Sequence, residues 1–340
     1  MKDSVVTAAA AMGMGSLEDR TLLTHLAMGA GPASRPGQND APRSNAGRSE
    51  AATPPAAPDA IEANRLPHGR IGDVQISRII CGGNLIGGFA HSRDLTYVSP
   101  LLKHYFTDEK IIETLEVCEE CGVNTIITGS SSAPLLRKYW DERGGRIQWI
   151  AQVVPSEADL LGDAKRSIDG GAAGAFVIGN MGDQLTRAGR VDLVGQVVEF
   201  IRSQGVIAGC GGHNLETVMA CEQAKVPVDF YMKTSHSTSY WSRRTPDQTK
   251  DVIDNYGTDN YWDKEPEKTV AFMATVSKPW IAYKVMAAGA IHPRVGFRYA
   301  WENGADFVCA GMFDFQVIED ALIAREIFDK GFERQRPWCA

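Results

Sequence analysis

Eight short apolar runs, each followed by a stretch of helical periodicity, limit what this chain can become more than any other feature. The runs fall at 77–84, 124–127, 147–154, 175–178, 206–210, 228–233, 280–285 and 307–310. They are continuous rather than alternating, as expected when both faces of a parallel sheet are covered. After the first run and its long loop, "TDEKIIETLEVCEECG" offers Thr107 as N-cap, acidic residues in the first turn and Gly122 as a stop. Further helical patterns lie near 133–143, 156–169, 190–204, 214–225, 265–276, 293–303 and 316–329. Eight βα units in series predict a closed (β/α)8 TIM barrel. The rival, an open doubly wound sheet, would want a GxGxxG turn after its first strand, and none is present.

The repeat begins near residue 66, and the preceding part has a different character. Residues 1–65 are rich in Ala, Gly, Pro and Ser and poor in large apolar groups. Such a composition does not offset its ordering entropy, so a disordered N-terminal tail is expected. A remnant of an export signal is the alternative for "SVVTAAAAMGMG", against a cytoplasmic location. The remaining 275 residues, 66–340, match the roughly 250 that a barrel needs.

Charge and composition exclude several partners. A net charge of −7 argues against general nucleic-acid binding and against an anionic membrane surface. No apolar run approaches the 18–20 residues or so of a membrane span. A small-molecule substrate is the partner that remains. Of the seven cysteines, Cys81, Cys210 and Cys309 lie in or just after buried strands and Cys118 and Cys121 on one helix, which suits small hydrophobes better than a disulfide framework.

In a barrel of this kind the working groups stand at the C-terminal ends of the strands. Those ends bring forward Asn84, Gln152, Asn180, His213, Asn214, Lys233, His236, Lys284, Gly311 and Met312. The longest connection, 234–266, is rich in Tyr, Trp and Asp and is expected to form an ordered lid. Its Trp241 and Trp262 are candidates for stacking on a sugar face, or for packing the lid on the rim. In "GGHN", His213 is a candidate acid or base; alternatively Asn214 caps the next helix and His213 faces solvent. Lys233 and Lys284 would meet at the mouth if their strand faces point inward, and repulsion and burial would then lower a pKa. Otherwise each pairs with a carboxylate at the rim. His213, His236 and Asp247 or Asp251 are of metal-ligand type but lack a spaced motif, so no metal site is expected.

Several stretches also resemble the aldo/keto reductase family. "RIGDVQISRIICGGNLIGG" is similar to its N-terminal hairpin and first strand, and "CGVNTIIT" to its Gly-x-Asn-x-Phe-Asp-Thr-Ala signature. "IQWIAQVV", "GVIAGCGGHNLETVMAC", "IAYKVMAAGAI" and "ADFVCAGMFDFQVIEDAL" follow the family's later strands in order. The resemblance implies an aldo/keto reductase-type barrel and an oxidoreductase acting on a small carbonyl or carbohydrate. It also implies a catalytic tetrad of Asp, Tyr, Lys and His. Here those positions carry Ile127, a serine near Ser132, Gln152 and, near the histidine, Gly179. Neither a serine nor an uncharged Gln152 supplies the family's proton donor. Gly311 and Met312 lie where the family holds a nicotinamide cofactor; NAD stays open, and Asp314 disfavours NADP. The alternatives to reduction are a lyase, aldolase or epimerase using the lysines and His213, or a ligand-binding barrel without catalysis.

Overall fold

The structure, a computed structural model, describes residues 66–340 except 94, 157, 256, 258 and 259. The expected disordered tail, 1–65, lies outside the described residues. Among the described residues ten strands are present. β1 (His68–Ile71) and β2 (Val74–Ser77) form an antiparallel hairpin. The other eight are β3 (Ile79–Gly82), β4 (Thr125–Gly129), β5 (Gln148–Val153), β6 (Gly174–Val177), β7 (Ile207–Gly212), β8 (Phe230–Thr234), β9 (Trp280–Tyr283) and β10 (Phe307–Ala310). These close into a barrel of parallel strands, β10 pairing with both β9 and β3.

Two apolar clusters show how the strands divide their side chains. Ile80, Ile127, Ile150, Phe176, Phe230, Met232, Ile281, Phe307 and Cys309 fill the barrel interior, and Ile71 and Ile76 of the hairpin join them. The hairpin therefore stoppers one end. The intervening residues, such as Cys81, Trp149, Val177, Cys210 and Tyr231, face outward into the layer shared with the helices. This alternation is the two-residue period of a strand, and it fixes where every side chain at the mouth points.

The helices bury their apolar sides on that outer layer. The helix Asp108–Glu120 buries Ile111, Ile112, Leu115 and Cys118, and the Thr107 side chain accepts the Lys110 N–H as expected. Ala133–Arg143 has the expected bounds. Three helices were not expected: α1 (Val98–Tyr105) in the long loop after β3, a helix after β6, here α5 (Gly179–Arg187), and the short helix Val252–Asn255 in the insertion, counting Asp108–Glu120 as α2, Ala133–Arg143 as α3 and Gly162–Asp169 as α4. The next are α6 (Val191–Ser203) and α7 (Leu215–Gln223). A Cβ on Gly182 of α5 would lie 2.1 Å from the Gly211 carbonyl oxygen. The bare glycine lets α5 press directly on β7, and this contact places the site.

The insertion after β8 has a small core of its own. Tyr240, Val252, Tyr261 and Trp262 pack on Ala287 and Ile291, which follow β9. The loop after β3 reaches the same insertion. Asn84 Nδ2 donates to His91 Nε2 (3.1 Å), His91 Nδ1 lies 3.3 Å from the Gly257 oxygen, and Arg93 Nε donates to Asn260 (2.9 Å).

Candidate active site

The polar centre of the mouth is built where α5 touches the end of β7. Asp183, in the second turn of α5, is fully buried and collects four donors. The backbone N–H of His213 (2.9 Å), the N–H of Asn214 (3.1 Å), the Thr217 hydroxyl (2.7 Å) and His213 Nδ1 (2.8 Å) all reach its carboxylate. A carboxylate only accepts, so Nδ1 carries the imidazole proton and Nε2 is the basic nitrogen. Burial pushes the His213 pKa below 6.5, with Asp183 opposing that shift, so the ring is neutral at physiological pH. The solvent-facing alternative for "GGHN" is not realised. Asn214 stands at the N-cap of α7 but its side chain makes no capping bond; Asp183 meets the helix start instead, and His213 is only 5% exposed.

Tyr283, the last residue of β9, shares the inward side with Ile281. Its ring lies 5.4 Å from the His213 ring, and its hydroxyl has no hydrogen-bond partner among the described residues. A Cβ on Gly179 would sit 2.3 Å from the Tyr283 oxygen and 3.1 Å from His213 Cε1. The phenol and imidazole thus converge over Gly179, the position matched above to the tetrad histidine. Burial raises the Tyr283 pKa well above its ordinary value, which keeps the phenol protonated and able to donate. A buried hydroxyl left without a partner costs free energy, typically about 1–3 kcal/mol, unless something else supplies the bond.

The two lysines do not meet at the mouth. Lys233 shares the outward side of β8 with Tyr231, behind the barrel wall. It is fully buried, lies 3.5 Å from Asp263 and donates to the carbonyl and hydroxyl oxygens of Thr234 (3.0 and 2.7 Å). Burial lowers its pKa while Asp263 works in the opposite direction. This is the paired arrangement weighed above, not an amine facing substrate. Lys284 does stand at the strand end, half-buried, with its ammonium nitrogen 3.9 Å from the centre of the Trp262 ring. Burial brings its pKa down to about 7.

His236 holds the insertion rather than a substrate. Its Nε2 accepts the N–H groups of Trp262 and Asp263 (both 3.0 Å), and Nδ1 donates to the Ser237 carbonyl (3.0 Å). Both ring nitrogens are therefore committed to backbone, which leaves neither for proton transfer nor for a metal. Among the described residues no group of three or more His, Cys, Asp or Glu is placed to hold a metal ion. Trp262 is buried, whereas Trp241 is 85% exposed and projects into solvent. Gln152 is half-buried on the inward side of β5, with Gly129 and Phe176 as strand neighbours; Asn180 is half-buried on α5. Ser132 sits 2.8 Å from Thr128, hydroxyl to hydroxyl. A cavity of about 350 Å³ reaches Asp183 and His213 from the helix side, past Asn214, Thr217, Asp263 and Thr269.

The sequence reading missed Asp183, Tyr283 and Asp263. Tyr283 carried a usable signal, as the phenol two residues after inward-facing Ile281 at a strand end. Asp183 did not, because "GNMGDQL" is rich in poor helix formers and read as loop.

No family model matches the sequence, and no curated protein does. Among solved structures, a putative aldo-keto reductase from Pseudomonas aeruginosa superposes with a TM-score of 0.50 at 15% identity, covering 76% of this chain and 93% of its own. A second structure described as a putative aldo-keto reductase from the same organism gives 0.50 and 15%, with coverage of 79% and 98%. The likeness is one of fold: a closed barrel of eight parallel strands with helices outside it.

The residues present do not fit the nicotinamide cofactor that the family resemblance implies. Gly311 is half-buried and Met312 buried, ahead of the helix Asp314–Lys330. That helix start, a natural phosphate site, already carries the Asp314 carboxylate, which takes bonds from the Tyr105 hydroxyl (2.5 Å) and Lys110 (3.1 Å). Ile127, at the tetrad aspartate position, is packed in the barrel interior.

Proposed function

We propose that this chain is a barrel enzyme that moves protons on a small carbonyl or carbohydrate substrate, in the manner of an isomerase, epimerase or lyase, without hydride transfer. The observation that carries the reading is the unpartnered Tyr283 hydroxyl beside an imidazole that Asp183 holds as a base. His213 Nε2 takes a proton from the substrate, and Asp183 stabilises the imidazolium that forms. Tyr283 donates to the substrate oxygen on which negative charge gathers, supplying the bond its hydroxyl lacks.

The test is solvent deuterium incorporation. Glyceraldehyde, dihydroxyacetone, pyruvate and simple aldoses are incubated with the protein in D2O and followed by proton NMR. The reading expects exchange at the carbon beside the carbonyl of at least one compound, lost in His213→Gln and reduced at least tenfold in Tyr283→Phe. Absence of exchange across the panel, or full exchange in His213→Gln, overturns it.

A further inference from the structure

Lys284 occupies an unusual position for an amine. It follows Tyr283 directly, yet its φ of +57° takes it out of the extended row in which a residue after an inward tyrosine would point outward. Ala287 (φ 45°) and Ala288 (φ 55°) adopt the same left-handed conformation a few residues later. Three non-glycine residues with positive φ in five positions persist only where the surroundings over-determine them, and such backbone gathers at working sites. The surroundings here are the insertion's own core, in which Ala287 and Ile291 are gripped by Tyr240, Tyr261 and Trp262.

Among the described residues the Lys284 side chain has no hydrogen-bonding or ionic partner, and its nitrogen rests over the Trp262 face. Other covered lysines differ: Lys233 has Asp263 and Thr234, and Lys278 has Glu222. The indole ring favours the ammonium, but burial opposes it more strongly and leaves a large share of free amine at neutral pH. Trp262 itself is fixed, since His236 accepts its backbone N–H and its carbonyl accepts the Thr234 hydroxyl. The amine is therefore held on a rigid plate, next in sequence to the phenol and close enough to His213 to affect its charge.

We propose that Lys284 forms an imine with the carbonyl carbon of the substrate, a step that rests on the proton-transfer reading above. The lone pair of Nζ forms the C–N bond while the carbonyl π pair moves to oxygen, which takes a proton from Tyr283. The nitrogen then returns a proton to the tyrosinate, Tyr283 delivers it to the carbinolamine hydroxyl, and the C–O bond breaks as water leaves while the nitrogen lone pair forms C=N. One carbonyl, one amine and the phenol proton give one protonated imine, one water and a tyrosinate, with no change of oxidation state. The protonated imine withdraws electrons from the neighbouring carbon, where His213 removes the next proton.

Borohydride reduction makes the imine permanent and locates it. The protein is incubated with glyceraldehyde, dihydroxyacetone or pyruvate, reduced, digested and read by mass spectrometry. Adduct is expected on the Lys284 peptide at least tenfold above that on Lys233 or exposed Lys330. It is expected to vanish in Lys284→Met and Lys284→Arg, whose folding is checked by their melting curves. Labelling of Lys284 no greater than that of Lys330 overturns the proposal, as does deuterium exchange that continues undiminished in Lys284→Met. In the latter case proton transfer by His213 stands and only the imine falls. Trapping on Lys284 together with full exchange in His213→Gln means the opposite: the imine stands and His213 is not the base. Absence of both adduct and exchange overturns both readings.

Discussion

Asp183→Asn isolates the group that organises the site, because it changes charge and hydrogen-bonding pattern while keeping shape. The native carboxylate serves four donors, at 2.9 Å (His213 N–H), 3.1 Å (Asn214 N–H), 2.7 Å (Thr217 hydroxyl) and 2.8 Å (His213 Nδ1). An amide oxygen serves about two of them, and its NH2 then faces the others. Each buried donor left without an acceptor costs about 1–3 kcal/mol, so the variant should lose roughly 2–6 kcal/mol. For a barrel of this size each kcal/mol is worth about 2–4 °C, which places the expected fall in melting temperature on the order of 10 °C. Urea unfolding with linear extrapolation reads the loss directly, and Gln184→Ala, an exposed neighbour on α5, should stay within about 0.5 kcal/mol of the parent. The imidazole would also lose its fixed tautomer, so exchange activity should fall further than stability alone explains. A loss below about 1 kcal/mol would show that Asp183 does not hold these donors in solution, and the account of the site would fail with it.

Four further outcomes follow from the same account. Both His213 and His236 have pKa values pushed below 6.5 by burial, so the unfolded chain binds protons that the folded one refuses. The histidine contribution to stability should therefore be full above pH 6.5 and fall as pH drops through that value, a loss that urea titrations between pH 7.5 and 5 would reveal. Lys284, lowered from 10.5 to about 7, has the same sign in a higher window: stability should rise between pH 7 and 10.5, and Lys284→Met should remove that rise. Lys233→Met strands the buried Asp263 and should cost about 3–5 kcal/mol in chemical unfolding, while Lys233 in the parent should react with amine reagents no faster than Lys330. Purified protein should oxidise no NADPH with simple aldehydes, as followed at the absorbance of the reduced cofactor.

The architecture was legible because it depends on period and punctuation, which a sequence displays. The run "TIITG" and the helix at Ala133–Arg143 declare themselves through apolar spacing and a glycine stop. The hairpin followed from the family resemblance, and the interior position of Ile71 and Ile76 shows why it is there. The site was half legible. His213 and Lys284 stand at strand ends, and a barrel directs attention to such ends whatever the residue. Asp183 was hidden because its helix depends on a long-range fit, Gly182 lying on the Gly211 carbonyl, that no local propensity records. Lys233 was misread for a simpler reason. Its parity with Tyr231 was plain, but which parity faces inward depends on barrel closure, and closure put the Phe230 and Met232 side inside. His236 shows the limit of residue type as evidence, since its chemistry is spent on the Trp262 and Asp263 backbone.

The central claim is that His213 is a neutral imidazole with its proton on Nδ1, held by Asp183 as a base beside Tyr283. Nitrogen-15 NMR of histidine-labelled protein, assigned with His213→Gln, measures this directly through the chemical shifts of the two ring nitrogens. At pH 7 the account predicts a protonated, pyrrole-type Nδ1 and an unprotonated, pyridine-type Nε2, with titration only below pH 6.5 and the Nδ1 signature lost in Asp183→Asn. An imidazolium at pH 7, or the proton on Nε2, would contradict it.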